Sequence, residues 1–336
     1  MKKLNYLFLL VLYLMQPCDS FAQDYSFTQF FQAPLSTNPA YSGLLDRDYR
    51  AILQYRNQWN GLGEAWRTMG ASYDMSLLKK PRKTNFLGAG GFIFNDQAGK
   101  SKMGTMVMSG AAAWHMSIDN YNSISFGLSA GYTQRSISID GLAWDSQYNG
   151  IAYDPTLASG ENFSSTALGF PDAGYGLVWS YQKDSKFKYD VGISSRHFFQ
   201  GQSFLEGGND KLYPLHILHG SGSNKFGDIK LDYFLRISNQ AMSFNAELAG
   251  LLHYRLGMDS KFTNSRTSSA ISAGFLYRHG DAVAAILGYE FKRSLIIFMS
   301  YDFTISKLSR YNNSLGGPEF SLKYEGFLTQ DRIRLM

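Results

Sequence analysis

The sequence predicts an all-β protein: a single transmembrane antiparallel β-barrel of about 14 strands with an irregular N-terminal arm. Three observations support this prediction. The 336 residues are 15% aromatic, long stretches alternate between apolar and polar residues, and the mean hydropathy is only −0.22. Too little of the chain is continuously apolar for a bundle of membrane helices, and so rich a supply of core-forming residues excludes a disordered chain.

The alternation is clearest between residues 123 and 133. One face of this stretch is small and polar, and the other carries Ile124, Phe126, Leu128, Ala130 and Tyr132. A period of two indicates a strand with unlike faces, and it recurs at 186–194, 295–303 and 319–324. Strands of about ten residues with one apolar face are typical of a membrane barrel, whereas a soluble sandwich or propeller would have shorter ones.

Fourteen strands are predicted. They lie near 49–56, 67–77, 86–96, 105–117, 122–134, 174–182, 187–197, 211–220, 229–237, 243–254, 268–278, 282–291, 295–304 and 318–325. An even number returns both termini to the periplasmic side. In that orientation 119–120 and 183–185 are short periplasmic turns, while 135–173 and 198–210 are long external loops. After residue 237 this asymmetry weakens, because 278–281 is a short external turn.

Residues 1–22 are predicted to be a signal peptide. Lys2 and Lys3 precede an apolar run, and Ser20-Phe21-Ala22 supplies small residues before the cleavage site. These 22 residues include two lysines, one aspartate and the only cysteine, so their removal lowers the net charge from +5 to +4 and leaves no disulfide. That charge is too small to indicate a nucleic-acid partner.

The signal peptide and the strand pattern together divide the chain. The predicted divisions are 1–22 signal peptide, 23–48 arm, 49–325 outer-membrane barrel and 326–336 tail.

The residues that could carry chemistry are scattered. The six histidines are dispersed, and His216 and His219 would lie on opposite faces of a strand. We therefore predict no catalytic residue, no cofactor and no metal, and keep a hydrolase at the barrel rim only as a minor alternative. Gly88, Gly90 and Gly91 lie in an alternating strand without a following helix, so they indicate close contact in the wall and not a phosphate-binding loop.

The arm before the first strand is too aromatic to remain in water and too irregular to span lipid. It must therefore pack in the lumen, as a plug, or on a partner. Pro39 fixes an extended turn in its centre, and a polar and aromatic group follows at the outer end of strand one. The candidate partner-contact residues are Asn38, Pro39, Tyr41, Arg56, Asn57, Gln58 and Trp59. The alternative is that they only seal the barrel and its aromatic girdle.

Several segments resemble one family of proteins. TQFFQAPLSTNPAYSG (28–43) and YRNQWNGLGEAWRT (55–68) resemble the opening of the PorP/SprF family of the type IX secretion system. The resemblance continues at WDSQYNGIAYDP (144–155), GYGLVWSY (174–181), VGISSRHF (191–198), GDAVAAILGYE (280–290) and YDFTISKLSRYNNSLGGPEFSLKY (301–324). It therefore covers nearly the whole mature chain. Outer-membrane barrels commonly end on an aromatic residue of the last strand. This chain differs, because residues 325–336 follow the aromatic Tyr324.

The resemblance implies an outer-membrane protein that performs no chemistry. Its implied partners are the type IX secretion machinery and a secreted cargo or surface adhesin, as in gliding motility, and for some members periplasmic lipoprotein-ring components. Outer-membrane lipid would surround the barrel. The alternative is a passive porin for small solutes, which the polar lumen face permits. The two differ in the lumen: a porin needs an open path, whereas the secretion component is expected to contain the arm or a docked partner.

Overall fold

The computed structural model describes residues 27–59, 66–77, 85–139, 142–161, 165–184, 186–199, 212–257 and 269–328. The predicted signal peptide at 1–22 and the tail from residue 329 lie outside these ranges, as does most of the predicted external loop 198–210.

Within the described residues, fourteen antiparallel strands form one closed barrel in which each strand pairs with its neighbours in sequence and β14 pairs with β1. The predicted fold class is confirmed. The strands are β1 Tyr49–Gln58, β2 Trp66–Leu77, β3 Phe86–Ala98, β4 Met103–Ser117, β5 Asn122–Ser136, β6 Ala167–Gln182, β7 Phe187–Arg196, β8 Leu215–Phe226, β9 Ile229–Gln240, β10 Ser243–Leu256, β11 Ser269–Arg278, β12 Ala282–Phe291, β13 Leu295–Thr304 and β14 Leu315–Gly326.

Helical segments are short. They are α1 Pro34–Thr37, α2 Ser309–Asn312 and the 3₁₀ turns Phe30–Gln32, Pro39–Tyr41 and Asp145–Gln147. In the part of the chain that the structure describes, no helix has the length and apolar character needed to cross a bilayer.

The two ends of the barrel differ in the length of their connections. We call the end with the connections 137–166, 197–214 and 305–314 the loop end, and the end with the tight connections 118–121, 183–186, 227–228 and 292–294 the turn end. The asymmetry is incomplete. In the second half of the chain, as predicted, 257–268 is a longer connection at the turn end and 279–281 a short one at the loop end; 78–85 at the turn end and 99–102 and 241–242 at the loop end are further exceptions.

Two strands differ most from their predicted limits. β6 begins at Ala167 and not near residue 174, so the external loop is 137–166 and not 135–173. Pro171 fits in this strand because β7 pairs with β6 only from Tyr175 onward, so no bond to β7 is lost by the missing N–H. β8 begins after Pro214 and continues to Phe226 through a small polar segment, which carries no apolar alternation to reveal it.

The two faces of the wall are as predicted. In β5, Phe126 and Leu128 are 47% and 55% exposed on the outside, while Ser125 and Thr133 are fully buried on the lumen side. The outer surface elsewhere carries exposed Ile193, Leu287 and Met299. An apolar exterior of this kind is stable only against lipid.

Leu128→Arg is expected to destabilise the barrel by about 2–4 kcal/mol, because it places a cation at the lipid-facing surface near mid-membrane. Ser129→Arg, one residue further along and directed inward, is the matched control and should cost much less. The measurement is the folded, heat-modifiable fraction on gels across a urea series. Equal losses for the two variants would show that the assigned faces are wrong.

Candidate functional site

The N-terminal arm, residues 27–48, lies inside the barrel. Its side chains at Phe27, Thr28, Gln29, Leu35, Asn38 and Ala40 are all at most 4% exposed. Pro34 and Pro39 each begin a short helical turn, which suits a residue that lacks the N–H group. Because the arm changes direction at each of these turns, it follows the inner wall and does not form a strand.

Phe30 and Phe31 fix the first part of the arm. The Phe31 ring stacks on that of Phe234 at 4.8 Å, and Phe30 packs with Leu251, Leu276 and other apolar residues of β10–β13. Phe27 meets Phe94 of β3 edge to face, with centroids 6.4 Å apart. Apolar contacts on opposite sides of the barrel therefore hold the start of the arm.

Asn38 fixes the centre of the arm. Its side-chain Oδ1 accepts a hydrogen bond from the Ala40 N–H at 2.9 Å and so caps the turn Pro39–Tyr41. Its Nδ2 lies 3.2 and 3.0 Å from the carbonyl oxygens of Leu177 and Ile193 and 2.9 Å from His219 Nε2. Next to it, burial and then the charge of Asp190 raise the pKa of the Tyr41 hydroxyl, so this group stays neutral.

The wall beneath residues 37–43 is a row of small residues. Gly88, Ala113, Gly127, Gly176 and Ser194 are successive partners across β3, β4, β5, β6 and β7. We call these five residues the small-residue row. The arm runs along it, perpendicular to the strands: Ser194 donates to the Thr37 carbonyl at 2.6 Å, and His115 Nε2 lies 2.8 Å from the Ser42 carbonyl oxygen.

The three glycines of this row allow the arm to lie close to the wall, because they have no side chain. A Cβ atom at Gly127 would lie 2.3 Å from the Ala40 nitrogen, and one at Gly176 would lie 1.9 Å from Asn38 Oδ1. At Gly88 it would lie 1.7 Å from the Ser42 carbonyl oxygen, which confirms the prediction that this glycine permits close contact in the wall. A larger residue at any of these positions would collide with the arm.

Six charged side chains on the lumen side near the loop end form a buried network. They are Arg56, Arg236, Glu247, Arg278, Asp302 and Glu319, and we call them the loop-end cluster. Arg56 Nη2 lies 2.5 Å from Asp302 Oδ2 and its Nε lies 3.5 Å from Glu319 Oε2. Arg278 lies 3.1 Å from Glu247 and 3.5 Å from Asp302, and Arg236 also pairs with Glu247. Three cations thus meet three anions with almost no solvent.

The start of the arm binds directly to this cluster. Glu319 accepts hydrogen bonds from the backbone N–H groups of Thr28 and Gln29, at 2.7 and 2.8 Å. The Thr28 hydroxyl donates to Asp302 at 2.8 Å and accepts from Arg278 at 3.0 Å. The buried charges therefore hold the arm as well as one another, and charge-assisted hydrogen bonds of this kind are the stronger ones in proteins.

The structure does not bring the sequence-predicted contact residues together. Asn38, Pro39 and Tyr41 lie against β5–β8, whereas Arg56 lies in the loop-end cluster beside β13 and β14. In this structure the contacts of Asn38 and Arg56 are with the barrel itself. Sequence reasoning missed the cluster partners and the small-residue row, although charged residues inside alternating strands and glycines at inward positions were visible signals.

Trp59 directly follows the last residue of β1 at the loop end. Its backbone N–H donates to the Gly316 carbonyl at 2.9 Å, and its ring lies 4.7 Å from that of Trp66. Asn57, Gln58 and Trp59 are all half-buried. Of the predicted contact residues, these three are therefore the ones that a partner outside the lumen could reach.

One group resembles a hydrolytic triad. His253 lies with Nδ1 2.6 Å from Ser272 Oγ and Nε2 3.0 Å from Asp232 Oδ2. Ser272 is only 2% exposed, and all three residues border a cavity of about 250 Å³. Among the described residues, no group of three His, Cys, Asp or Glu side chains is placed to hold a metal ion.

A closed barrel with an apolar exterior and a lumen that contains its own N-terminal segment defines an outer-membrane β-barrel of the plugged type. The particular family follows from the sequence: residues 19–324 match the family of type IX secretion system membrane protein PorP/SprF. The chain belongs to this family. It is therefore an outer-membrane protein of the type IX secretion system.

Solved structures share the fold. The toluene transporter TbuX of Ralstonia pickettii is 12% identical, with a TM-score of 0.52 over 88% of this chain and 94% of that one. A FadL homologue of Pseudomonas aeruginosa is 10% identical, with a TM-score of 0.51 over 88% and 94%. At such identities the likeness concerns the fold alone. No curated protein sequence matches this chain.

Proposed function

We propose that the protein is a non-enzymatic component of type IX secretion that assists the export or surface attachment of a secreted protein such as an adhesin. The observation that carries this proposal is the arm in the lumen. Its contacts reach β1 through Gln54, β3 through Phe94, β8 through His219 and β14 through Glu319. A lumen crossed in this way favours a scaffold over an open channel.

The loop end is the expected site of cargo contact in this proposal. Trp59 and Trp66 form a half-exposed aromatic pair there, and tryptophan is the residue type most enriched in energetic centres of protein interfaces. The turn end would face the periplasm and the lipoprotein-ring components that the family resemblance implies. Asn38 and Arg56 then act indirectly, because they hold the arm and the barrel in shape.

Trp59→Ala is expected to reduce the cargo found on the cell surface while the barrel stays folded. Loss of one central interface tryptophan costs at least about 2 kcal/mol, or roughly thirtyfold in affinity. The measurement is immunodetection of surface cargo beside a heat-modifiability gel of the barrel. Trp179→Ala, which removes an exposed tryptophan from the outer wall at the other end, is the matched control. Loss of the barrel itself in Trp59→Ala would assign this residue a structural role.

The porin alternative is tested on the same protein. Purified barrel in liposomes should admit small sugars no faster than empty liposomes, because the arm occupies the lumen. Rapid sugar uptake by the wild type, with unchanged cargo secretion in cells that lack the protein, would overturn the secretion proposal in favour of a porin.

A further inference from the structure

The exposed cations at the loop end lie on one side of the barrel. Among the described residues they are five side chains, which we call the basic arc: Arg67, Lys100, Lys102, Lys307 and Arg310. They belong to β2, the β3–β4 turn and the β13–β14 loop, and so to six neighbouring strands of the closed sheet. Around the other eight strands, the described lysine and arginine side chains near this end are directed to the lumen and are buried or half-buried: Arg135, Arg196, Arg236 and Arg278.

The basic arc has no counter-charge within the described chain. None of its five side chains forms an ion pair or a hydrogen bond there. The acidic side chains near the loop end of the same strands are on the lumen side and have partners. Thr68 donates to Asp96 at 2.5 Å, and Asp302 and Glu319 belong to the loop-end cluster. Cations without counter-charges attract an anion from outside the molecule.

The basic arc directly borders the lipid-facing wall. Arg67 lies on the outer face of β2, two residues before the exposed Met69. In the β13–β14 loop, Lys307 follows the exposed Phe303 and Ile305. The cations therefore lie at the level where the hydrocarbon ends and the headgroups of the outer leaflet begin.

The β13–β14 loop holds two of the cations next to each other. The Arg310 N–H donates to the Lys307 carbonyl at 3.4 Å, so these residues are one tight helical turn apart and on the same side of it. Asn312 Nδ2 donates to Thr304 Oγ1 at 3.1 Å and to the Leu315 carbonyl at 2.8 Å. These bonds join the two ends of the loop, so the pair of cations is preorganised.

We propose that the basic arc binds the phosphorylated headgroup of an outer-leaflet lipid such as lipopolysaccharide. Lys307 and Arg310 together bind one phosphate, for which the planar guanidinium group provides two parallel hydrogen bonds. The hydroxyl of Tyr311, a residue that is 78% exposed, donates to the sugar of the headgroup. A lipid fits better than an acidic protein, because its acyl chains also cover the apolar wall directly below the cations.

The lipid site is independent of the secretion proposal. Trp66 of the aromatic pair precedes Arg67 in β2, so the two side chains lie on opposite faces of the strand. Cargo at the tryptophan pair and lipid at the basic arc can therefore be tested separately.

The test is microscale thermophoresis of the purified full-length barrel in detergent. The two probes are bisphosphorylated lipid A and the same lipid after removal of both phosphates. We expect the phosphorylated form to bind about tenfold more tightly or better, and added salt to weaken its binding. Equal affinity for the two forms would overturn the proposal and leave an acidic protein as the partner of the basic arc. Displacement of the lipid by an equal concentration of inorganic phosphate would assign the site to a free anion instead.

Two double variants locate the site. Lys307→Gln with Arg310→Gln should weaken binding of bisphosphorylated lipid A by about twentyfold, since each basic residue near an anionic surface contributes roughly fivefold. Both side chains are exposed, so the folded, heat-modifiable fraction should stay at the wild-type level. Lys183→Gln with Lys186→Gln removes two exposed lysines of the same spacing at the turn end and should bind as wild type does. An equal effect in the two double variants, whether a loss or none, would show that the basic arc is not the site.

Discussion

Arg56→Ala is expected to lower the free energy of unfolding by about 3–5 kcal/mol. The substitution removes the closest cation from Asp302 and Glu319, whose side chains are 1% and 0% exposed, and an unpaired buried charge is costly. Arg278 still lies 3.5 Å from Asp302, so the barrel should remain foldable. The measurement is urea unfolding in detergent, followed by heat-modifiability and by tryptophan fluorescence.

Lys230→Ala is the control for this experiment. Lys230 forms a pair with Asp232 of similar length, 2.8 Å, but its side chain is 47% exposed. Such a pair contributes about 0–1 kcal/mol, so the loss should be several times smaller. Similar losses for the two variants would show that the loop-end cluster is not the main polar support of the arm. Adding Glu319→Gln to Arg56→Ala should restore part of the stability, because it removes one of the two buried carboxylates that Arg56→Ala leaves without this cation.

Gly127→Val is expected to displace the arm and open the lumen. The new side chain would meet the backbone of Pro39 and Ala40, with Cβ contacts of 2.3–2.5 Å that no side-chain rotation can relieve. A barrel of fourteen strands is wide enough for an aqueous channel once its plug has moved. Single-channel conductance in planar bilayers should therefore rise from near baseline to that of an open pore.

Gly110→Val provides the comparison for the displaced arm. This glycine lies on the outer face of β4, where a Cβ meets nothing nearer than 3.9 Å, so the conductance should stay at the wild-type level. A Gly127→Val barrel that folds but remains closed would mean that the arm tolerates the added side chain, and the importance assigned to the small-residue row would be wrong.

The wall of the barrel was predictable from sequence because the alternation of apolar and polar residues within one strand shows which face is the outer one. The alternation in residues 123–133 specifies inside and outside without reference to any other strand, and the structure agrees. The start of β6 was not predictable in this way. Pro171 and Asp172 are typical of a loop, and only the pairing with β5 and the shortness of β7 make a strand possible there.

The lumen was less predictable because its contacts join distant parts of the chain. Arg56, Glu247 and Glu319 come together only when the barrel closes, and nothing in their local sequence selects these partners. The arm could be predicted to pack somewhere, from its aromatic content, but its route depends on glycines in three separate strands. Small residues at inward positions of neighbouring strands are a signal that a search of the sequence could use.

The hydrogen bonds from Thr28 and Gln29 to Glu319 have a consequence for the order of assembly. They join residues 291 and 290 positions apart, the beginning of the described chain and its last strand. Contacts of such separation form late, after the intervening strands have paired. The arm therefore cannot reach its final position until β14 is in place. A chain stopped before β14 would keep a loose, protease-sensitive arm, so protection of the arm marks the moment at which the barrel is complete.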